Sequence, residues 1–353
     1  MRPKRRGQMP PPPPPAAANS GALPEELLLS ILGLLDTNTL LSTAALVCKR
    51  WRELTLSTQL LHTVEARLPG AEAALVAQVE VFCNCLLHRA APHVRRLRIV
   101  MPEQGPPQGL DGPDGEAIEH FDRIASELGA AFTRVGQHCQ LEDLSISLRT
   151  EGMFLEVPVG GWAEALGRCL RRLRLDLEPA SLATDARLQE LTALEHLELA
   201  SLVLEVPREL ALPPALTRLH LGGYGEDFPG EELTPKLSAL NRLCDLSLDS
   251  SHFPADGFAS LGKLPALRRL HLANCKHPLP APLAALTSLR TLAWVPQRRG
   301  GMQSAEAPPQ PLPEGPYLRS LRCLAVPAVM AAASLPALGA AAQLQALGLF
   351  AFF

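Results

Sequence analysis

Cys83, Cys85 and His88 form a C-x-C-x-x-H string, the residue types of a zinc site. On a helix, residues two apart point roughly 200° from each other, so the spacing predicts core packing and no bound ion. His120 beside Glu119 and His196 beside Glu195 set a base next to a carboxylate. Sequence neighbours on a strand face opposite ways, so His196 and Glu195 make no acid–base pair. No glycine-rich phosphate loop with its lysine follows a strand, and no G-x-S-x-G nucleophile elbow occurs. The expectation is a non-catalytic chain with no metal and no cofactor.

The elements that position these residues are legible from a repeat. From residue 92 onward the unit L-x-x-L-x-L recurs ten times, from Val94-Leu97-Ile99 and Leu141-Leu144-Ile146 to Leu321-Leu324-Val326 and Leu344-Leu347-Leu349. Seven of the nine intervals between first positions are 22–29 residues long, the period of leucine-rich repeats. Positions four and six point inward from a short strand, and positions three and five face solvent. No unit buries its apolar face alone, so stacking must make the core. The Asn or Cys usual at position nine is present only as Cys275, with Arg149, Leu202, Tyr224 and Ser251 in other units. The convex segments are therefore expected to be irregular, part helix and part coil. Helical spacing predicts helices over 71–91 and 115–138, the latter through Ile118, Phe121, Ile124, Ala125 and Leu128.

On the solvent face, basic and acidic rungs alternate, which predicts lateral charge pairing between neighbouring strands. Arg172, Arg174, Arg218 and Arg269 on that face are candidates to hold an acidic or phosphorylated segment. Thr291/Ala293, Cys323/Ala325 and Ala346/Gly348 leave the last rungs small and uncharged, a bed for an apolar element. Long excursions over 101–115, 149–161, 222–235 and 296–316 are expected to crowd one rim, bringing Phe154, Tyr224 and Phe228 to the ligand surface.

Composition narrows the class. Apolar residues make up 47% and charged residues 20%, so most of the chain can bury a core. A net charge of −3 gives no global pull toward nucleic acid or an anionic membrane, and neither is expected as a partner. No apolar stretch precedes Leu27, which predicts no secretory signal. The 31 residues after Arg322 are uncharged, but Pro327, Ser334, Pro336 and Gly339 interrupt them, so no spanning helix is expected. Eight scattered cysteines read as reduced core residues of an intracellular protein, cytoplasmic or nuclear. Arg2, Lys4, Arg5 and Arg6 followed by prolines 10–15 form a flexible basic tail. The strand pattern running into Leu349-Phe350-Ala351-Phe352-Phe353 lacks a polar cap, and self-association through this last repeat is expected.

Ahead of the repeats, Pro24 suits a first helical position, and Glu25 and Glu26 suit the positive end of the helix dipole. Leu27, Ile31 and Leu34 share one helical face, and Asp36-Thr37-Asn38-Thr39 offers capping side chains for the next helix. The run L-P-E-E-L-L-L-S-I-L over 23–32, then Leu40-Leu41 and Val47-Cys48-Lys49-Arg50-Trp51, resembles an F-box. With the repeats behind it, the chain resembles an F-box/leucine-rich-repeat protein. The resemblance implies an α/β fold: a short helical F-box, then an open horseshoe of about ten degenerate repeats. It divides the chain into a tail over 1–22, the F-box over 23–60, a strand and helix region capping the solenoid over 61–93, and repeats over 94–353. It implies the substrate-recognition role in an SCF-type cullin–RING ubiquitin ligase. The F-box would bind a Skp-type adaptor, and through it cullin, while the repeats bind a target protein. Carried over by position, the adaptor contacts fall on Leu23, Pro24, Leu27, Ile31, Leu40, Val47, Lys49 and Trp51. The alternative is a repeat scaffold, cytoskeletal or axonemal for example, with no ubiquitin-ligase role.

Overall fold

A strand that buries every second side chain needs neighbours that do the same, and the repeat supplies them in sequence order. The computed structural model describes residues 23–68, 72–104, 115–138, 140–150, 155–157, 160–178, 180–182, 187–201, 211–223, 235–249, 257–275, 279, 281–296 and 311–350. It opens with α1 (Glu25–Leu32) and α2 (Thr37–Thr39), which continues through a π-helical turn, Leu40–Ala44, into α3 (Ala45–Val47). Then come α4 (Lys49–Thr55), α5 (Thr58–Leu61) and β1 (Thr63–Arg67). Helix α6 (Glu72–Val81) runs through a second π-turn, Phe82–Leu87, into α7 (His88–Ala90). Strand β2 (Arg96–Gln104), α8 (Gly115–Gly136), β3 (Asp143–Thr150), β4 (Leu155–Val157) and α9 (Gly160–Leu166) follow. The remaining strands are β5 (Arg172–Glu178), β6 (Ala180–Leu182), β7 (His196–Ser201), β8 (Arg218–Gly223) and β9 (Asp245–Asp249), then β10 (Arg269–Cys275), β11 (Thr291–Pro296), β12 (Cys323–Pro327) and β13 (Ala346–Phe350).

Eleven strands make one open parallel sheet in the order β1-β2-β3-β5-β7-β8-β9-β10-β11-β12-β13, while β4 and β6 pair separately. Register follows the repeat: Leu97 pairs with Leu144, Leu144 with Leu173, Leu173 with Leu197, and so on to Leu324 with Leu347. Positions one, four and six are buried from Val94 through Val326, with Trp294 standing in at one position six. Among the described residues the convex connections include short helices and 3₁₀ turns, as at Leu188–Glu190 and Ala281–Ala285. No helix among the described residues is long and apolar enough to cross a membrane.

Three features refine the sequence reading. The sheet starts one strand early, because β1 pairs in register with β2 from Thr63↔Arg96 to Arg67↔Val100. One buried cluster runs unbroken from Leu28 to Ala341, and the Glu65 amide donates to Thr37 Oγ1 at 3.4 Å, so residue 60 marks no break in packing. Among the described parts of the excursions, 101–104 extends β2, and 149–161 contains β4 and the start of α9. Finally, Leu347 and Leu349 on β13 are 46% and 55% exposed, whereas their partners Leu324 and Val326 are buried. Among the described residues no strand covers them. This is the end at which the sequence predicts self-association.

The helices appear where the periodicity places them. Arg134 bonds Asn84 Oδ1 at 3.0 Å and the Cys83 carbonyl at 3.4 Å, which satisfies a group at the π-turn and ties α8 to the helix before it. Phe132 of α8 meets Trp162 of α9 edge-on at 5.4 Å. Convex segments of adjacent repeats approach so closely that a Cβ on Gly167 would stand 2.3 Å from the Glu190 carbonyl oxygen. A Cβ on Gly161, in α9, would meet nothing within 4 Å. Gly167→Ala should therefore cost about 1–3 kcal/mol in denaturant unfolding. Gly161→Ala should be neutral or stabilising by up to about 1 kcal/mol. Equal behaviour of the two variants would contradict the close stacking.

Candidate functional site

The first helix is apolar on two sides. Leu28 and Leu32, four residues apart, face the common core. Leu27 and Ile31, also four apart, face outward, followed by Leu34 at 85% exposure and by Leu35. Helices apolar all round occur where both sides are covered, and here the fold covers one side. After the turn, Asp36 caps α2: its Oδ1 accepts from the Thr39 amide at 3.0 Å and its Oδ2 from the Thr39 hydroxyl at 2.6 Å. The π-turn then buries Leu40, Leu41 and Ala44, and leaves Leu46 (69% exposed) and Val47 outside.

The V-C-K-R-W run divides its work. Cys48 is extended and its sulfur accepts from the Trp51 amide at 3.5 Å, starting α4. Arg50 reaches back 27 residues in sequence, and its Nη2 donates to the Leu23 carbonyl at 2.9 Å, pinning the start of α1 against α4. Trp51 packs against the core. Val47, 60% exposed, and Lys49 face solvent.

Of the eight adaptor contacts placed by resemblance, Leu23, Pro24, Leu27, Ile31, Val47 and Lys49 are exposed in and around α1 and the α3–α4 junction. Leu40 is 3% exposed and is corrected to a core residue, since it packs within the common buried cluster. Trp51 is half-buried against the same core, so its ring supports the surface from behind. The sequence reading omitted Leu34, Leu35 and Leu46 from the site. Their apolar character at i+3 and i+4 from Ile31, and beside Val47, was the available signal.

On the concave face a cavity of about 420 Å³ is lined by rungs of β3 to β9, including Arg172, Arg174, His196 and Arg218. Arg172 pairs with Asp143 at 3.6 Å, Arg174 with Glu198 at 3.4 Å, and Arg269 with Asp245 at 3.3 Å. The lateral pairing expected from the alternation is present, and it removes the cationic excess read from Arg172, Arg174 and Arg269. Arg218, between His196 and Asp245 in register, has no ion pair among the described residues. Partial burial pushes the His196 pKa down, and the guanidiniums of Arg218 and Arg172 push it further, against the smaller opposing pull of Glu195 and Asp143. Phe154, Tyr224 and Phe228, offered for the rim, lie outside the described residues. Cys83 is buried and its thiol is pushed up to about 12, chiefly by burial, which makes it unreactive. His88 is exposed, and no group of three metal-ligating side chains occurs among the described residues.

Residues 21–66 match the F-box-like family model. No curated protein matches the chain. Among solved structures, the plant peptide hormone receptor RGFR1 in complex with RGF2 aligns over 74% of this chain and 33% of its own, with 16% identity and a TM-score of 0.38. The TLR13–ssRNA13 complex aligns over 85% of this chain and 35% of its own, with 13% identity and a TM-score of 0.38. The chain thus spans about a third of the length of each. An F-box-like segment therefore precedes an open leucine-rich-repeat solenoid, the latter read directly from its strand ladder.

The Asp36 cap gives a pH signature. The Thr39 hydroxyl, then the Thr39 amide, hold this carboxyl below the usual carboxylate range. The stabilisation is fully present above the unfolded value near ~3.9 and is lost as pH falls through the lower folded value. Asp36→Ala should cost about 1 kcal/mol at neutral pH. In denaturant unfolding at successively lower pH, the gap between variant and parent should close. A gap that persists in acid would show that the carboxylate is not the cap.

Proposed function

We propose that this chain is a substrate-receptor subunit of an SCF-type cullin–RING ubiquitin ligase, in which the F-box-like helices dock a Skp-type adaptor and the repeats hold a target protein. The observation that carries this reading is the uncovered second side of α1. Seven of the twelve large hydrophobics exposed among the described residues fall between Leu23 and Val47. Apolar side chains gathered on one short segment mark an interaction surface, and isolated ones do not. Specific interfaces bury about 1,600 Å² and draw most of their energy from a few central anchors. Leu27, Ile31, Leu34 and Leu46 have the chemistry of such anchors, with Lys49 at the rim.

The match over residues 21–66 supports the adaptor class, and the parallel ladder supports a ligand-holding role for the remainder. The thiols of Cys48, Cys83, Cys244 and Cys323 fit a reducing compartment, cytoplasm or nucleus.

Leu27→Ala combined with Ile31→Ala should abolish capture of a purified Skp-type adaptor in a pull-down while leaving the thermal midpoint nearly unchanged, since both side chains are exposed. Leu40→Ala should do the opposite: loss of about 2–5 kcal/mol of stability, with adaptor capture retained by whatever fraction stays folded. Undiminished capture by the double variant would overturn the docking assignment.

A further inference from the structure

The ladder fixes a third solvent-facing column that neither the alternating rungs nor the adaptor surface accounts for. In each unit the carbonyl of position two accepts two amides of the next strand. Glu142 O takes Arg171 N at 2.8 Å and Arg172 N at 3.0 Å, and Arg290 O takes Arg322 N at 2.7 Å and Cys323 N at 2.9 Å. Position-two residues are therefore stacked one strand apart, about 4.8 Å. In the first half of the solenoid the column alternates in sign: Arg95 pairs with Glu142 at 3.5 Å, and Arg171 with Glu195 at 3.5 Å. Thr217 and Cys244 follow, and then the alternation stops. Arg268, Arg290 and Arg322 occupy three consecutive rungs, all exposed, and none has an ion pair among the described residues.

These three share a cavity of about 370 Å³ with Arg218 and Arg269. Among the described residues the one carboxylate lining it is Asp245, already held by Arg269 at 3.3 Å. Five guanidiniums thus face one engaged carboxylate. Like charges stacked on neighbouring strands repel, and an anion that bridges them removes the repulsion and gains bidentate hydrogen bonds. Beside the column, position three carries the small Thr291 and Cys323, which line the same cavity and let a backbone lie close to the sheet.

We infer that this site, centred on Arg290 between Arg268 and Arg322, binds a phosphorylated acidic peptide segment in extended conformation. Three arginines one strand apart span about 10 Å, the reach of about three extended residues. The whole chain is negative at −3, and among the described residues no aromatic side chain lines the cavity, which disfavours nucleic acid and its need for stacking. A concave site of this size also cannot meet a flat bilayer. The inference rests on the repeats being the ligand-holding part of the proposed receptor, and it is independent of the adaptor.

The test uses the full chain and a fluorescein-labelled acidic peptide with phosphoserines at alternate positions, read by fluorescence anisotropy. The unphosphorylated peptide, polyuridylate RNA and phosphatidylserine vesicles serve as competing probes. The phosphopeptide should bind at least about tenfold tighter than its unphosphorylated form. Arg290→Gln with Arg322→Gln should lose about tenfold or more, and Arg290→Lys, which keeps the charge without the fork, should fall between. Arg95→Gln with Arg171→Gln, in the same column but paired with acids, should bind as the parent does. Thermal unfolding of each variant confirms that it is folded. Equal binding of the two peptides, retention by the Arg290/Arg322 variant, or stronger binding of RNA or vesicles would each overturn the inference. Adaptor capture by the same preparation separates the two readings: capture without phosphopeptide binding sinks this site alone, and the reverse sinks the ligase assignment alone.

Discussion

In-register stacking of short parallel strands is the constraint on which the rest of this molecule depends. Each strand hands two amides to the previous position-two carbonyl, so a residue type at one position of the repeat becomes a column running across the sheet. For positions four and six this is favourable without qualification. Leucine beneath leucine, from Leu97 to Leu324, excludes water along the whole length. For the solvent-facing positions it imposes a condition, because identical charges would be held about 4.8 Å apart. The chain meets that condition over its first half by alternating Arg95, Glu142, Arg171 and Glu195. Over its last rungs it places Arg268, Arg290 and Arg322 in sequence instead.

The same continuity governs the helical segment. Because β1 extends the sheet and Leu28, Leu32, Leu61 and Val64 belong to one buried cluster, the helices are built onto the solenoid's first strand and are not tethered beside it. Arg50 fixes α1 against α4 from within the V-C-K-R-W run, and Cys48 and Trp51 support that junction by capping and packing. Most of that signature is thus occupied in holding the surface in place. The surface itself is made by Leu27, Ile31, Leu34 and Leu46. A partner bound there and a ligand held on the concave face would be set at a fixed separation through one core, which is what a receptor that presents its target needs.

The fold was legible because period and residue class decide it. A 22–29-residue spacing of aliphatic triplets leaves few alternatives to a parallel ladder, and the helices over 72–90 and 115–136 follow from spacing alone. The early start of the sheet was less legible, since β1 carries Val64 and Ala66 where the other strands carry leucine or another large apolar side chain. Which side of α1 is buried cannot be read from type, because Leu27/Ile31 and Leu28/Leu32 are equivalent patterns; tertiary packing decides. Leu40 was misplaced for the same reason: packing into the common cluster decides its side. On the concave face, attention to positions three and five found arginines that the register neutralises. Position two, where like charges accumulate, shows its meaning only when strand neighbours are known.

The central claim is that the chain carries a preformed apolar docking surface on α1 and the α3–α4 junction, separate from the concave face. Hydrogen–deuterium exchange on the full chain, with and without saturating purified Skp-type adaptor, addresses it most directly. The account predicts slowed exchange over residues 25–35 and 45–50, and no change in the concave strands β5 to β12. Unchanged exchange over 25–35 with adaptor in excess, or protection appearing in the concave strands instead, would contradict it.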